Sequence, residues 1–220
     1  MLARLRRALE GFYRFLEQPL GLASRPLLAA LLIPLGIAFS RPLWAVTIET
    51  PQHPGGLWLD VYTTHIASGH DGADLVQINA LHQAIGMRTL DAHTLGDLDW
   101  LPFGLGALGL LVLRAAAVGN VRTLVDLTVL VVYFCGFALA RFAHRMSTLG
   151  HTLSPDAPTR VAPFQPVMFG EQRIGDAVVH AGPGAGAYLV AAFGVGVLVI
   201  TAWQLARGWR DARQGAAQAS

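Results

Sequence analysis

Four apolar stretches punctuate the chain, and the polar material between them falls into two long blocks. The first stretch runs from Leu27 to Ile48 and is interrupted by Pro34 and by Arg41-Pro42. The others run from Leu101 to Val118, from Leu124 to Phe142 and from Ala187 to Ala206. Each approaches the length of about 20 residues that a helix needs to cross a bilayer. Only Gly119-Asn120-Val121-Arg122 separates the second from the third, which predicts a tight helical hairpin. Gly194 and Gly196 leave room in the fourth for close approach of a neighbouring helix. The expected fold is an integral membrane α-helical protein, with four transmembrane helices and a small α+β outer cap formed by two loops.

Ahead of the first stretch, Arg4, Arg6, Arg7, Arg14 and Arg25 alternate with Leu2, Leu5, Leu9, Phe12, Phe15 and Leu16 at helical spacing. That pattern predicts an amphipathic helix lying in the interface over residues 1-26, on the cytoplasmic side. The transmembrane helices are then placed at 27-48, 100-118, 122-142 and 187-206, with outer loops at 49-99 and 143-186 and a cytoplasmic tail at 207-220. A cleaved signal peptide is the competing reading of the first stretch. The long region before it, and the lack of a small-x-small cleavage site after it, favour an uncleaved anchor. Near its far end, Arg41 can snorkel toward the headgroups beside Trp44, an aromatic-belt residue.

Arginine sets the orientation. All 16 basic residues are arginine. With the N-terminus inside, ten of them (Arg4, Arg6, Arg7, Arg14, Arg25, Arg114, Arg122, Arg207, Arg210 and Arg213) lie on the cytoplasmic side. Both loops then share the outer face of a bacterial inner membrane, and both termini are cytoplasmic.

Within the first loop, Leu57 to Ile66 is β-branched and aromatic and follows Pro54-Gly55-Gly56, which predicts a turn and then a strand. Leu75, Ile78, Leu81, His82 and Ile85 recur at helical spacing up to Gly86, and Asp74 precedes Gln77 by three residues in a capping-box arrangement. A helix over 75-85 is expected. The second loop is proline-rich from Pro155 through Pro166 and then strand-like from Ile174 to Ala181. Strand material in both loops predicts that they meet in one cap.

Composition narrows the function. Hydrophobic residues make up 53% and charged ones 14% of the chain, against roughly a quarter charged in soluble domains, which points to lipid as a partner. The net charge of +2 implies no nucleic-acid-binding face. Cys135 is the lone cysteine and sits in an apolar run, so no disulfide framework or CxxC site exists. No Walker loop, nucleophile elbow or paired catalytic carboxylate motif occurs, and no enzymatic activity is expected.

Chemistry, if any, belongs to the histidines. All eight (His53, His65, His70, His82, His93, His144, His151 and His180) fall on the outer side, with Met87, Met146 and Met168. Imidazole with thioether suits copper, particularly Cu(I). The plainer explanation is that polar residues gather in loops because hydrocarbon disfavours them. Haem is less favoured, since no histidine occupies the middle of a span, although His144 and His151 stand at the outer end of the third helix. His65, Ser68, Gly69 and His70 resemble a metal pair only loosely. Asp126, near the cytoplasmic end of the third span, is an intramembrane carboxylate with capping and interfacial roles open to it.

Several loop segments have a familiar form: Pro51 to Leu57, Ile78-Asn79-Ala80-Leu81 through Ile85-Gly86-Met87, Gly150 to Pro155, and Phe169-Gly170 through Pro183-Gly184. In order and content they resemble an uncharacterised family of small four-helix bacterial membrane proteins, some of which accompany nitrous-oxide-reductase maturation genes. The family's loop helix reads Ile-Asn-x-Leu-Asn-His-Tyr-Ile-Gly-Met. Here the histidine, His82, stands one position earlier, while His151 matches the family's Gly-His pair. The resemblance implies an accessory membrane protein that assists copper handling or maturation of a periplasmic metalloenzyme such as nitrous-oxide reductase. The expected copper ligands are His82, Met87 and His151, with His53 as a further one. Alternatives are an anchor or electron-transfer subunit binding haem or quinol beside other membrane subunits, and a structural subunit with no ligand. Transport ranks last, because the spans show no inverted repeat.

Overall fold

A computed structural model describes residue 13 and residues 15-90, 99-159 and 161-218, with side chains as far as residue 210. Residues 1-12 and 14 of the amphipathic helix expected over 1-26 lie outside the described residues, as does His93; of the remainder, residues 17-23 are not helical, because Pro19 and Gly21 break the pattern and Pro19 bridges to Asn120. Three helices are long and apolar enough to cross a membrane, and they are accompanied by a small antiparallel sheet. In chain order the elements are α1 (Ser24–Ala30), α2 (Leu32–Ala38), β1 (Trp44–Thr50), β2 (His53–Val61), β3 (Ile66–Ser68), α3 (Ala73–Ala84), α4 (Trp100–Val118), α5 (Val121–His151), β4 (Gly170–Ile174), β5 (Ala177–Pro183) and α6 (Ala185–Gln218).

The apolar stretch expected to be a single helix over 27-48 takes another form. It gives the two short helices α1 and α2 and then the strand β1. Pro42 has no N–H to continue a helix and biases Arg41 away from helical geometry, while Val46, Thr47 and Ile48 are β-branched. The apolar helical part, Ser24–Ala38, spans about 22 Å at 1.5 Å per residue, less than the roughly 30 Å of a hydrocarbon core. By contrast α5, with 31 residues, reaches about 46 Å.

Contacts divide the chain into two compact units, one of residues 1-35, 105-134 and 191-220, the other of residues 36-104 and 135-190. In the first, Leu105, Leu108, Val112 and Ala115 of α4 are buried, as are Leu124, Leu127 and Val131 of α5 and Phe193, Val197 and Ile200 of α6. These recur every three or four residues, so each helix turns one stripe inward. The outward faces are equally apolar: Leu110 and Leu113, Val129, Leu130 and Val132, and Val195, Leu198 and Val199 are exposed. Helices apolar on both faces fit hydrocarbon around them. Gly196 lets Leu31 pack closely, because a Cβ there would sit 2.5 Å from Leu31 Cδ2 and the leucine side chain would have to shift. Polar side chains also link these helices, with Thr128 Oγ1 2.6 Å from Thr201 Oγ1.

The second unit is built on the antiparallel sheet, ordered β3-β2-β1-β5-β4. Register places Ile48 opposite both Leu57 and Val179, and Val46 opposite Leu59 and Ala181, so these apolar residues share one face. Ile48, Leu57 and Leu59 close over Ile78 of α3, with Leu75 and Leu81 packed beside it. Trp44 packs on Phe142 of α5 and on Phe169, with ring centroids 4.7 and 5.1 Å apart.

The strands expected over 57-66 and 174-181 do enter one sheet, on either side of β1, but each is interrupted by a turn. The first breaks at Tyr62 to His65, where the Tyr62 N–H donates to His65 O. The second breaks at Gly175-Asp176, a two-residue turn with Gly175 at φ +60, as a type II′ hairpin requires. Pro54-Gly55-Gly56 is not a turn before the strand but part of β2, with Gly56 at φ +76 against Thr47 Cγ2. The expected helix over 75-85 is α3, which starts two residues earlier.

Candidate functional site

The C-terminal end of α3 is a Schellman motif. The Met87 N–H donates to His82 O at 2.8 Å and the Gly86 N–H to Gln83 O at 3.2 Å, with Gly86 left-handed at φ +78. This folds Met87 back toward the turn that carries His82. The segment following His151, the last residue of α5, then wraps the same helix end. The Ser154 N–H donates to Gly86 O at 2.8 Å and the Thr159 N–H to Ala84 O at 2.9 Å. A Cβ on Gly86 would strike the Ser154 backbone, so this approach depends on glycine.

Two histidines of these segments each tie Nδ1 to a main-chain carbonyl. His82 Nδ1 is 3.2 Å from Arg88 O, and His151 Nδ1 is 2.7 Å from Ser147 O. A carbonyl only accepts, so Nδ1 carries the proton in both and the Nε2 lone pair is left for a ligand. Burial pushes the His82 pKa down, against the smaller opposing effect of its bond to Arg88 O, and so favours the neutral imidazole. His53 is elsewhere, at the β1–β2 turn, where its Nδ1 lies 3.3 Å from Thr50 Oγ1. No group of three or more His, Cys, Asp or Glu side chains that could hold a metal ion occurs among the described residues. His53, His82 and His151 therefore do not form such a group together. A set of two imidazoles and the Met87 thioether is of a different composition.

The most strongly built histidine in this unit is another one. Asp74, expected to cap α3, lies inside it, and Gly72 occupies the cap position without a side-chain bond. The Asp74 carboxylate is buried and turned to other use. Its Oδ2 accepts the Trp58 backbone N–H at 3.1 Å and its Oδ1 lies 2.8 Å from His70 Nδ1. Burial alone would raise the Asp74 pKa. The Trp58 N–H and the His70 imidazole, with a charge on His53 adding to them, outweigh burial and hold it below the ordinary carboxylate range. The ionised carboxylate accepts from His70, whose Nε2 faces solvent.

This geometry carries a cost. His70 and Asp71 have φ of 51° and 55°, left-handed values that cost a non-glycine residue roughly 1–2 kcal/mol each. A Cβ on Gly69 would overlap the Asp74 carboxylate and come within 2.5 Å of Trp58 Nε1. An imidazole with a fixed tautomer and an open Nε2 can accept a proton or donate to a metal. The signal missed in the sequence is the spacing of four between His70 and Asp74, hidden because Asp74 also satisfied a capping pattern.

Seven described histidines (His53, His65, His70, His82, His144, His151 and His180) belong to the unit that holds the sheet, together with Met87, Met146 and Met168. No protein-family model matches the chain, and no curated protein matches it.

Proposed function

We propose that this chain is a non-enzymatic accessory protein of the bacterial inner membrane that handles copper during maturation of a periplasmic metalloenzyme such as nitrous-oxide reductase. In this reading the sheet and α3 form a cap on the periplasmic side, α1 and α2 complete a fourth crossing, and both termini are cytoplasmic. Copper is held by His82, Met87 and His151, with His53 as a further ligand.

The observation that carries the reading is the junction of two sequence-distant segments at Gly86 and Ser154. It brings the turn bearing His82 and Met87 to the segment that follows His151, and both imidazoles have Nδ1 tied to main-chain carbonyls. Neutral imidazole and thioether are donors suited to Cu(I).

The test is metal analysis and an absorption spectrum on detergent-purified protein, wild type beside a His82→Ala, His151→Ala double variant. Copper retained by the wild type and lost by the variant, with membrane insertion intact, is the expected result. Equal copper content in the two proteins, or a Soret band in place of copper, would overturn it.

A further inference from the structure

The membrane-helix unit has a second cluster of chemistry-bearing side chains, remote in sequence from every histidine. The segment before α1 is pinned to the α4–α5 link: the Leu20 N–H donates to Gly119 O at 2.7 Å and the Val121 N–H to Gln18 O at 3.0 Å. Arg25 lies across that link. Its Nη2 is 3.5 Å from Gly119 O, and any Cβ on Gly119 would overlap the guanidinium. On the neighbouring Gly21, the position a Cβ would take is 3.3 Å from Arg207 Nη1 and 3.4 Å from Gln204 Nε2. Gln204 is buried and donates to Ser24 Oγ, while Arg207 stacks on Trp203 at 4.0 Å. One guanidinium group thus lies against Gly119 and the other against Gly21, on two backbone segments joined by the Leu20 to Gly119 hydrogen bond.

Among the described residues no carboxylate pairs with Arg25 or Arg207, and Arg25 Nε is buried without a hydrogen-bond partner. A buried, unsatisfied N–H on a charged group is costly unless an acceptor from outside the chain meets it. The location identifies that acceptor. The cluster sits where α4 turns into α5 and where the apolar part of α6 ends at Arg210, so it lies at headgroup depth. Guanidinium binds phosphate oxygens through paired N–H donors.

We propose that Arg25 and Arg207 bind a phosphate group, from an anionic phospholipid headgroup or from free phosphate, at the end of the membrane helices. The Arg25 guanidinium meets the phosphate from one side and the Arg207 guanidinium from the other, and Gln204 and Ser24 lie beside Gly21 beneath it. The site rests on the membrane reading of the helices and is independent of copper.

Native mass spectrometry of the full chain, exchanged from detergent into nanodiscs of equal parts phosphatidylglycerol and phosphatidylcholine, tests it. The wild type should retain phosphatidylglycerol several-fold over phosphatidylcholine, and an Arg25→Gln, Arg207→Gln variant should fall to parity. An Arg122→Gln, Arg210→Gln variant removes the same charge from exposed positions and should keep the preference. If the first variant does not fold, Arg207→Gln alone removes an exposed side chain and should still cost most of it. Displacement of the lipid by millimolar inorganic phosphate would mark a site open to free phosphate, and lipid that stays bound marks a headgroup site; either supports the assignment. Parity in the wild type without phosphate binding, or equal loss in both double variants, would overturn it.

Discussion

Asp74 holds His70 by a 2.8 Å contact between Oδ1 and Nδ1, with the carboxylate only 2% exposed and the imidazole 75% exposed. A buried group fixing an exposed one is how a protein presents a side chain at low entropic cost. The bond has a pH signature. Because the Asp74 pKa is held below its ordinary 3.8, the carboxylate's contribution to stability is fully present above that value and is lost as pH falls through the lower, folded one. Asp74→Asn should therefore lower the thermal midpoint at neutral pH, and the gap between variant and wild type should close on acidification below about pH 4. Thermal unfolding followed by circular dichroism across that range measures it, and a gap independent of pH would reject the charge as its cause.

Gly69 has an ordinary φ of −63°, so its requirement for glycine is one of space and not of backbone conformation. Gly69→Ala drives a methyl into the Asp74 carboxylate and the Trp58 indole, and should cost about 1–3 kcal/mol in the manner of an overpacked core. Gly182, with nothing within 4 Å of its missing Cβ, provides the control. Gly182→Ala should stay within about 0.5 kcal/mol of the wild type. Denaturant titration of both variants in detergent separates the two cases, and equal effects would mean that Gly69 has room after all.

Much of this architecture is legible from residue pattern. The later apolar runs become α4, α5 and α6 because uninterrupted apolar stretches of spanning length have few alternatives. Gly86 ends α3 as its position implied. The first stretch misleads because hydropathy does not distinguish a buried strand from a helix. Val46 and Ile48 are apolar to face Leu59 and Leu57, not lipid on all sides. Asp74 misleads for a related reason: a capping pattern is local, whereas its Trp58 partner is set by how α3 lies on the sheet and its His70 partner by the left-handed turn at His70 and Asp71. The joining of Gly86 to Ser154 is likewise a long-range contact that no local pattern encodes.

The arginine distribution predicts a sidedness that fusions can test. Reporters fused after Arg122 or Arg213 should be cytoplasmic, and those placed within residues 60-95 or 155-175 periplasmic. The second pair is the more demanding, because strands from both segments share one sheet and must lie on the same side. Alkaline phosphatase and green fluorescent protein fusions give complementary signals, and opposite sidedness for the two segments would exclude the four-crossing arrangement.

His82 offers a further test, because burial displaces its titration from that of an ordinary imidazole. Burial is the largest influence on its imidazole and lowers the pKa below 6.5, while the bond from Nδ1 to Arg88 O acts in the opposite sense and is the smaller effect. The unfolded chain consequently binds a proton at a pH where the folded one does not, so stability rises with pH through that interval. The contribution is present above about pH 6.5 and declines as pH falls through the folded value. Replacing His82 with glutamine keeps a polar side chain of similar reach but removes the titration. The wild-type unfolding midpoint should fall more steeply than that of His82→Gln between about pH 7 and pH 5. The same neutral ring keeps its Nε2 lone pair in mild acid, so copper bound through His82 should survive to a lower pH than copper bound to an ordinary imidazole. Parallel stability curves for the two proteins would show that His82 titrates as an exposed histidine does.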